Sequence, residues 1–248
     1  MNSSKYIIGF TAILTAFVAL VLSLMYTGLK EKHRENELLF EKRAVLGAIQ
    51  DKIGKDISGM KDQEVIDIFK NSINQIVLDA KGNAMSIEDV EKIGYKGGKA
   101  ENIDMKVEMK KSPEKRILPL YKYKDKNGKE IFIVKLFGKG LWDEISGFLA
   151  LDTDLNTVLG ASFDHKGETP GMGAEMKDNP KFPAQFKGKT IFDDSGKLVS
   201  IVVRKGGAVD KNHDVDAISG ATLTCNGITD MLLNSLKNYE PYLKKVEK

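Results

Sequence analysis

Residues 117–163 read ILPLYKYKDKNGKEIFIVKLFGKGLWDEISGFLALDTDLNTVLGASF, a series of β-rich runs broken by turn-forming residues. Residues 117–123 and 130–137 flank Asp125-Lys126-Asn127-Gly128, and Asn-Gly between two such runs signals a hairpin. Residues 148–152 and 157–163 flank Thr153-Asp154-Leu155-Asn156, which predicts a second hairpin. Residues 198–204 form a further expected strand. Working outward, Leu223, Ile228, Met231, Leu232 and Leu236 recur at helical spacing and predict a closing helix over 222–239. On the other side, residues 64–73 and 87–93 read as helices and 75–78 as a strand, whereas 101–115 carries little pattern. Antiparallel strands with helices before and after predict an α+β fold, not a repeating βαβ one.

The amino-terminal end is of a different kind. Residues 6–29 contain no charged side chain, are rich in Ile, Leu, Val and Phe, and carry Tyr6 and Tyr26 near their ends. A spanning helix needs about 20 apolar residues, and tyrosines suit the interfacial belts. The run exceeds a signal-peptide core and leads into Lys30-Glu31-Lys32-His33-Arg34-Glu35 with no small-residue cleavage site. It therefore predicts one uncleaved transmembrane anchor. Residues 31–52 carry Leu38, Leu39, Val45, Leu46 and Ile49 and predict an exposed amphipathic helix that continues it. Lys30, Lys32 and Arg34 outweigh Lys5 as flanking charges, so the positive-inside rule alone puts the body in the cytoplasm.

Composition narrows the function. A single cysteine in 248 residues excludes an intramolecular disulfide, a Cys-based zinc site and an iron–sulfur cluster held by this chain alone. Thirty-eight basic residues face 35 acidic ones, and aromatics are 8%, which argues against a nucleic-acid binder. The sequence carries no Walker loop, no Rossmann fingerprint and no Gly-x-Ser-x-Gly elbow, and so no catalytic residue is assigned.

Three stretches carry the chemistry. In Asp216-Ala217-Ile218-Ser219-Gly220-Ala221-Thr222-Leu223-Thr224, small and hydroxyl residues collect where a loop enters a helix. Free N–H groups at such an end favour a phosphate, and Gly220 and Ala221 permit close approach of a ligand. Ser219, Thr222 or Thr224 would equally serve as a helix cap, and both roles are compatible. In Gly167-Glu168-Thr169-Pro170-Gly171-Met172-Gly173, three glycines and a proline define a shaped turn. His165 and Glu168, with His213 and Asp214, supply metal-ligand types, but no pair of histidines has helical ligand spacing and no metal site is expected. The third stretch, around Gly140-Leu141-Trp142-Asp143, holds the only tryptophan, a ring suited to a core, an interface or a planar cofactor.

Taken in order, these stretches resemble the FMN-binding domain family. Ser219-Gly220-Ala221-Thr222, preceded by Asp216, is similar to its flavinylation motif, and Glu168-Thr169-Pro170-Gly171-Met172-Gly173 to its second loop. Met172 stands where leucine is usual and Ala174 where glycine is common. With one N-terminal span, the whole resembles the C-subunit family of sodium-translocating NADH:quinone oxidoreductases. The resemblance implies covalent FMN on Thr222, with Thr224 the rival acceptor. It implies a phosphate received by the N–H groups around Ala221–Thr224, and ribityl or ring-edge hydrogen bonds from Glu168 and Thr169. It implies ring contacts from Leu141, Trp142 and Met172 near the Gly171 turn. It further implies a flavin transferase for maturation, partner subunits in the inner membrane, contact with membrane lipid, and a periplasmic soluble domain, opposite to the charge count. Under it the chain divides as 1–30 anchor, 31–115 mixed helical region and 116–248 FMN-binding domain. Three readings compete: this electron-carrying subunit or its sibling, the flavinylated G protein of Rnf-type ferredoxin:NAD complexes; an anchored module with a noncovalent ligand; and a structural anchor.

Overall fold

A computed structural model describes residues 4–246. The chain divides into two compact units, residues 1–40 and 41–248. Helix α1 (Ser4–Ala48) carries the apolar run, and no residue of its most apolar window is buried. Among the described residues it is the one helix long and apolar enough to cross a membrane.

The second unit is built on a five-stranded antiparallel meander in the order β1-β2-β3-β4-β5. After α1 come two short helices and the first strand: α2 (Gln50–Ile53), α3 (Asp62–Ser72) and β1 (Ile73–Leu78). Helices α4 (Ile87–Lys92) and α5 (Met105–Glu108) precede β2 (Leu118–Lys124), β3 (Glu130–Lys139), β4 (Glu144–Leu151) and β5 (Val158–His165). Two single-turn helices follow, α6 (Glu175–Asp178) and α7 (Lys181–Ala184). Strand β6 (Val202–Arg204) pairs in parallel with β7 (Asp214–Asp216), and α8 (Thr222–Val246) closes the domain.

Both expected hairpins form. The β2–β3 turn is wider than the Asn-Gly pair: Asp125 Oδ1 accepts from the N–H groups of Asn127 and Lys129, both at 2.8 Å, and Gly128 takes φ +82°. At the β4–β5 turn Asp154 Oδ1 accepts from Asn156 and Thr157 N–H, and buried Leu155 is held at φ +53°.

Both faces of the sheet are covered, which explains the nearly continuous burial of β2 to β4. On one face the last two turns of α1 lie against Tyr121, Lys135 and Ser162. Glu41 accepts from Tyr121 Oη and Lys135 Nζ at 2.7 Å each, and Ser162 Oγ donates to the Ala44 carbonyl at 2.7 Å. Gly160 offers no Cβ, so the Ala48 carbonyl lies directly against β5. Residues 31–52 are therefore not an exposed helix throughout: α1 ends at Ala48, and Val45, Leu46 and Ile49 join the core.

The other face is covered by α8, through Ile228, Met231, Leu232, Leu236 and Tyr239. A Cβ on Gly138 would fall 2.6 Å from that of Met231, so the bare glycine sets how closely α8 approaches β3. The helix runs past Pro241 to Val246, beyond its expected end, and Leu243 is buried. The expected strand over 198–204 is shorter. Ser200 takes φ +65° and turns the chain, leaving Leu198 bridged to Phe192 and only Val202–Arg204 in the ladder.

Tyr121 and Tyr239 are fully buried, and burial pushes both phenols up; Glu41 pushes Tyr121 further. Tyr239 Oη donates to the Pro119 carbonyl at 2.6 Å. The folded state holds these protons above the unfolded phenol value of about 10, so their contribution is intact below that pH and is lost as pH rises. The midpoint of urea unfolding is expected to fall as pH rises above about 10, less steeply in Tyr121→Phe/Tyr239→Phe. Equal slopes in the two proteins would remove these phenols as the cause.

Candidate functional site

Three loops meet at the amino end of α8: the β3–β4 turn, the segment after β5, and the β7–α8 turn. Each is shaped by its own residues. Met172 N–H donates to the Thr169 carbonyl at 3.1 Å across Pro170-Gly171, with Gly171 at φ +71°. Proline then glycine at the centre of a turn is the type II pattern. Ala221 N–H donates to the Ile218 carbonyl at 3.2 Å across Ser219-Gly220, with Gly220 at φ +75°, a conformation that any side chain would strain. Gly140 N–H donates to the Asp143 carbonyl at 2.8 Å and throws Leu141 and Trp142 outward.

Glu168 joins these loops. It is 4% exposed. One oxygen accepts from Trp142 N–H at 3.0 Å, and the other accepts from Thr224 Oγ at 2.5 Å. Gly140 and Gly173 make room for the carboxyl: a Cβ on either would collide with a Glu168 oxygen. Glu168 N–H donates to His165 Nδ1 at 3.2 Å. Thr169 Oγ accepts from Trp142 Nε1 at 3.2 Å. The carboxyl thus points into the protein, because the two glycines let the loops close over it.

The two candidate threonines are sorted by this arrangement. Thr224 is 1% exposed and spends its hydroxyl on Glu168, so it does not cap the helix. Thr222 is exposed on the same first turn. Cys225 N–H takes the Ala221 carbonyl at 2.9 Å, the first bond of the helical ladder. The N–H groups of Thr222, Leu223 and Thr224 lie ahead of it with no acceptor in the helix, the usual condition of a first turn. Ser219 and Gly220 are exposed beside them. Asp216 faces the other way: its Oδ1 accepts from Ala208 N–H at 2.7 Å and pins the preceding loop.

The three loops and the first turn of α8 also carry exposed apolar side chains. Leu141, Trp142 and Met172 are exposed, Trp142 by 66%, and Leu223 by 60%. A Cβ on Gly220 would lie 3.6 Å from the methyl end of Met172, an ordinary contact distance. Leu223 and Gln185 were not singled out by the sequence. Leu223 blends into the helical pattern. Gln185 Oε1 accepts from Asp216 N–H at 2.8 Å and fixes the approach to α8, a contact with no local signature. Supporting this approach is Asp214. Burial alone would push its carboxyl up, but Arg204 at 2.6 Å and the N–H groups of Asp210 and Val209 outweigh that and hold it below the usual carboxylate range.

His213 and Asp214 are thus engaged away from His165 and Glu168, and no group of three metal-ligand side chains gathers among the described residues. Cys225 is buried beside Ile218, and burial pushes its thiol up, which fits an inert role.

An FMN-binding domain profile matches residues 140–237, the span that contains all three loops. The C subunit of the Na(+)-translocating NADH-quinone reductase of Vibrio anguillarum is 33% identical over 94% of this chain and 94% of its own length. The chain belongs to the C-subunit family of Na(+)-translocating NADH-quinone reductases. The corresponding Pseudomonas aeruginosa protein is 33% identical over 90% of this chain and 88% of its own. Among solved structures, the C subunit from Parabacteroides distasonis superposes with a TM-score of 0.71 at 31% identity, covering 87% of this chain and 96% of that one. NqrC of Shewanella oneidensis gives 0.65 at 27% identity, covering 88% and 99%. Membership of this family selects the first of the three competing readings and, within it, the quinone-reductase protein over its Rnf sibling.

Glu168→Ala would leave Trp142 N–H and Thr224 Oγ without a buried acceptor, a loss of about 1–3 kcal/mol. Glu168→Gln is expected to recover most of it, since its amide oxygen can accept from Trp142 while its NH2 donates to Thr224. Urea unfolding of the full chain measures both, and an alanine variant as stable as the natural chain would refute the clamp.

Proposed function

We propose that this chain is the membrane-anchored, covalently flavinylated electron carrier of a sodium-pumping NADH:quinone oxidoreductase, with FMN esterified through its phosphate to Thr222. The observation that carries the attachment site is the contrast between the two threonines: one hydroxyl free at the surface, the other buried against Glu168. The residues present fit the cofactor. An exposed hydroxyl, first-turn N–H groups and an exposed apolar cluster lie together at one helix end. Bound there, FMN supplies reversible one- and two-electron redox chemistry.

The protein's own part is to position and shield. The N–H groups of Thr222, Leu223 and Thr224 receive the anionic phosphodiester, favoured by the positive end of α8. Gly220 lets the phosphate reach that backbone without a side chain in the way. Leu141, Trp142, Met172 and Leu223 offer apolar surface for the ring, and Glu168 and Thr169 act behind them by holding Trp142 and α8 in register. An unassisted threonine hydroxyl is a poor nucleophile, and maturation is assigned to a separate flavin transferase. The chain passes electrons from NADH towards ubiquinone between neighbouring subunits while sodium is moved.

A denaturing gel viewed under ultraviolet light tests the attachment. A flavin-fluorescent band is expected for the natural chain and Thr224→Val, and is expected to vanish for Thr222→Val. Fluorescence that survives Thr222→Val sinks the assignment.

With α1 read as a span of the inner membrane, we assign the soluble body to the periplasmic side. In intact spheroplasts, added protease should digest the soluble domain. Digestion only after lysis would put the body in the cytoplasm.

A further inference from the structure

A second feature adjoins the β3–β4 turn. A cleft of about 860 Å3 runs between α5, the end of β3 and the middle of α8. Its floor is apolar, formed by half-buried Met109 and Phe137 with exposed Pro113 beside them, and its rim is basic. Five cationic side chains line it against two carboxylates.

The carboxylates are already in use. Glu144 pairs with both Lys106 and Lys166, and Asp143 Oδ1 accepts from Glu144 N–H at 2.7 Å. Arg116 is tied to Asn238 and to the carbonyls of Lys111 and Met109. Lys110, Lys139 and Lys237 are exposed, and none of them pairs with a carboxylate among the described residues. The surplus positive charge therefore sits over an apolar floor with no internal partner.

The position of the cleft matters. Lys139 and Asp143 line it, and the same turn throws Leu141 and Trp142 towards the candidate flavin surface. The Lys139 carbonyl lies against Gly227 of α8, where a side chain would not fit. From there to Lys237 the helix extends by about 15 Å. The cleft is thus a track that ends beside the redox face.

We propose that this cleft seats an acidic segment of a neighbouring subunit, with an apolar side chain on the floor and carboxylates between Lys110, Lys139 and Lys237. Complementary charge favours such an occupant and sets its register, and apolar anchors supply the affinity. Docked there, the partner's surface abuts the Leu141–Trp142 turn. The proposal rests on the chain being one subunit of an assembly, the property its family carries.

Acetylation of lysines by acetic anhydride, read by mass spectrometry, tests it on the full-length chain alone and in the purified complex. Lys110, Lys139 and Lys237 are expected to be labelled severalfold less in the complex, relative to Lys126 at the β2–β3 hairpin tip. Carbodiimide coupling is expected to join at least one of them to an Asp or Glu of another subunit. In Lys110→Glu/Lys237→Glu, recovery of neighbouring subunits should fall by about tenfold with the flavin band unchanged, since like charges then face each other. Equal labelling in both states overturns the proposal. Protection without any carboxylate cross-link also overturns it and makes an anionic lipid or nucleotide the occupant. A chain that purifies with no neighbours overturns the reading of the chain as part of an assembly as well, whereas an intact complex with unprotected lysines overturns this inference alone.

Discussion

The carboxyl group of Glu168 is the point on which the site depends. A buried carboxyl is tolerated only where its oxygens find donors, and here the donors come from two other segments, the Trp142 backbone and the Thr224 side chain. The tie therefore fixes distances that no single loop controls. It holds the first turn of α8 against the β3–β4 turn and so sets where Thr222 stands relative to Trp142. Gly140 and Gly173 are the steric condition for it, since a methyl group at either position would occupy the space of the carboxyl oxygens.

The fold behind this clamp is a rigid support. A five-stranded sheet with both faces covered leaves little freedom at the ends of β3 and β5, from which two of the three loops emerge. Gly138 seats Met231 against the sheet and brings the third loop, at the start of α8, alongside. An electron carrier gains from such a frame, because transfer depends on a held position more than on motion. The exposed apolar side chains of the three loops and the basic cleft next to them are left unsatisfied by the fold itself.

Much of this was legible in the residues. The two hairpins followed from Asp-rich and Asn-Gly turns between β-rich runs, and α8 from its apolar spacing. The shaped turns followed from Pro170-Gly171 and from Ser219-Gly220, where local geometry demands glycine. Less legible were segments whose structure depends on distant partners. The end of α1 joins the core because Gly160, more than a hundred residues away, leaves space for it. The strand over 198–204 shortens because Ser200 turns the chain. Leu223 looked like one more apolar residue in a helix, and Gln185 acts across the domain on Asp216.

By itself, then, the sequence determined the apolar anchor, the two antiparallel hairpins, the glycine-bearing turns and the presence of two hydroxyls at one helix start. These are properties of short windows, governed by periodicity and backbone preference. Tertiary structure alone decided which hydroxyl is free and which is bound, that Glu168 faces inward as a clamp, and that unpaired lysines gather over an apolar floor. Those outcomes depend on segments far apart in the chain meeting at a few ångströms, and burial and hydrogen-bond partnership are settled only there.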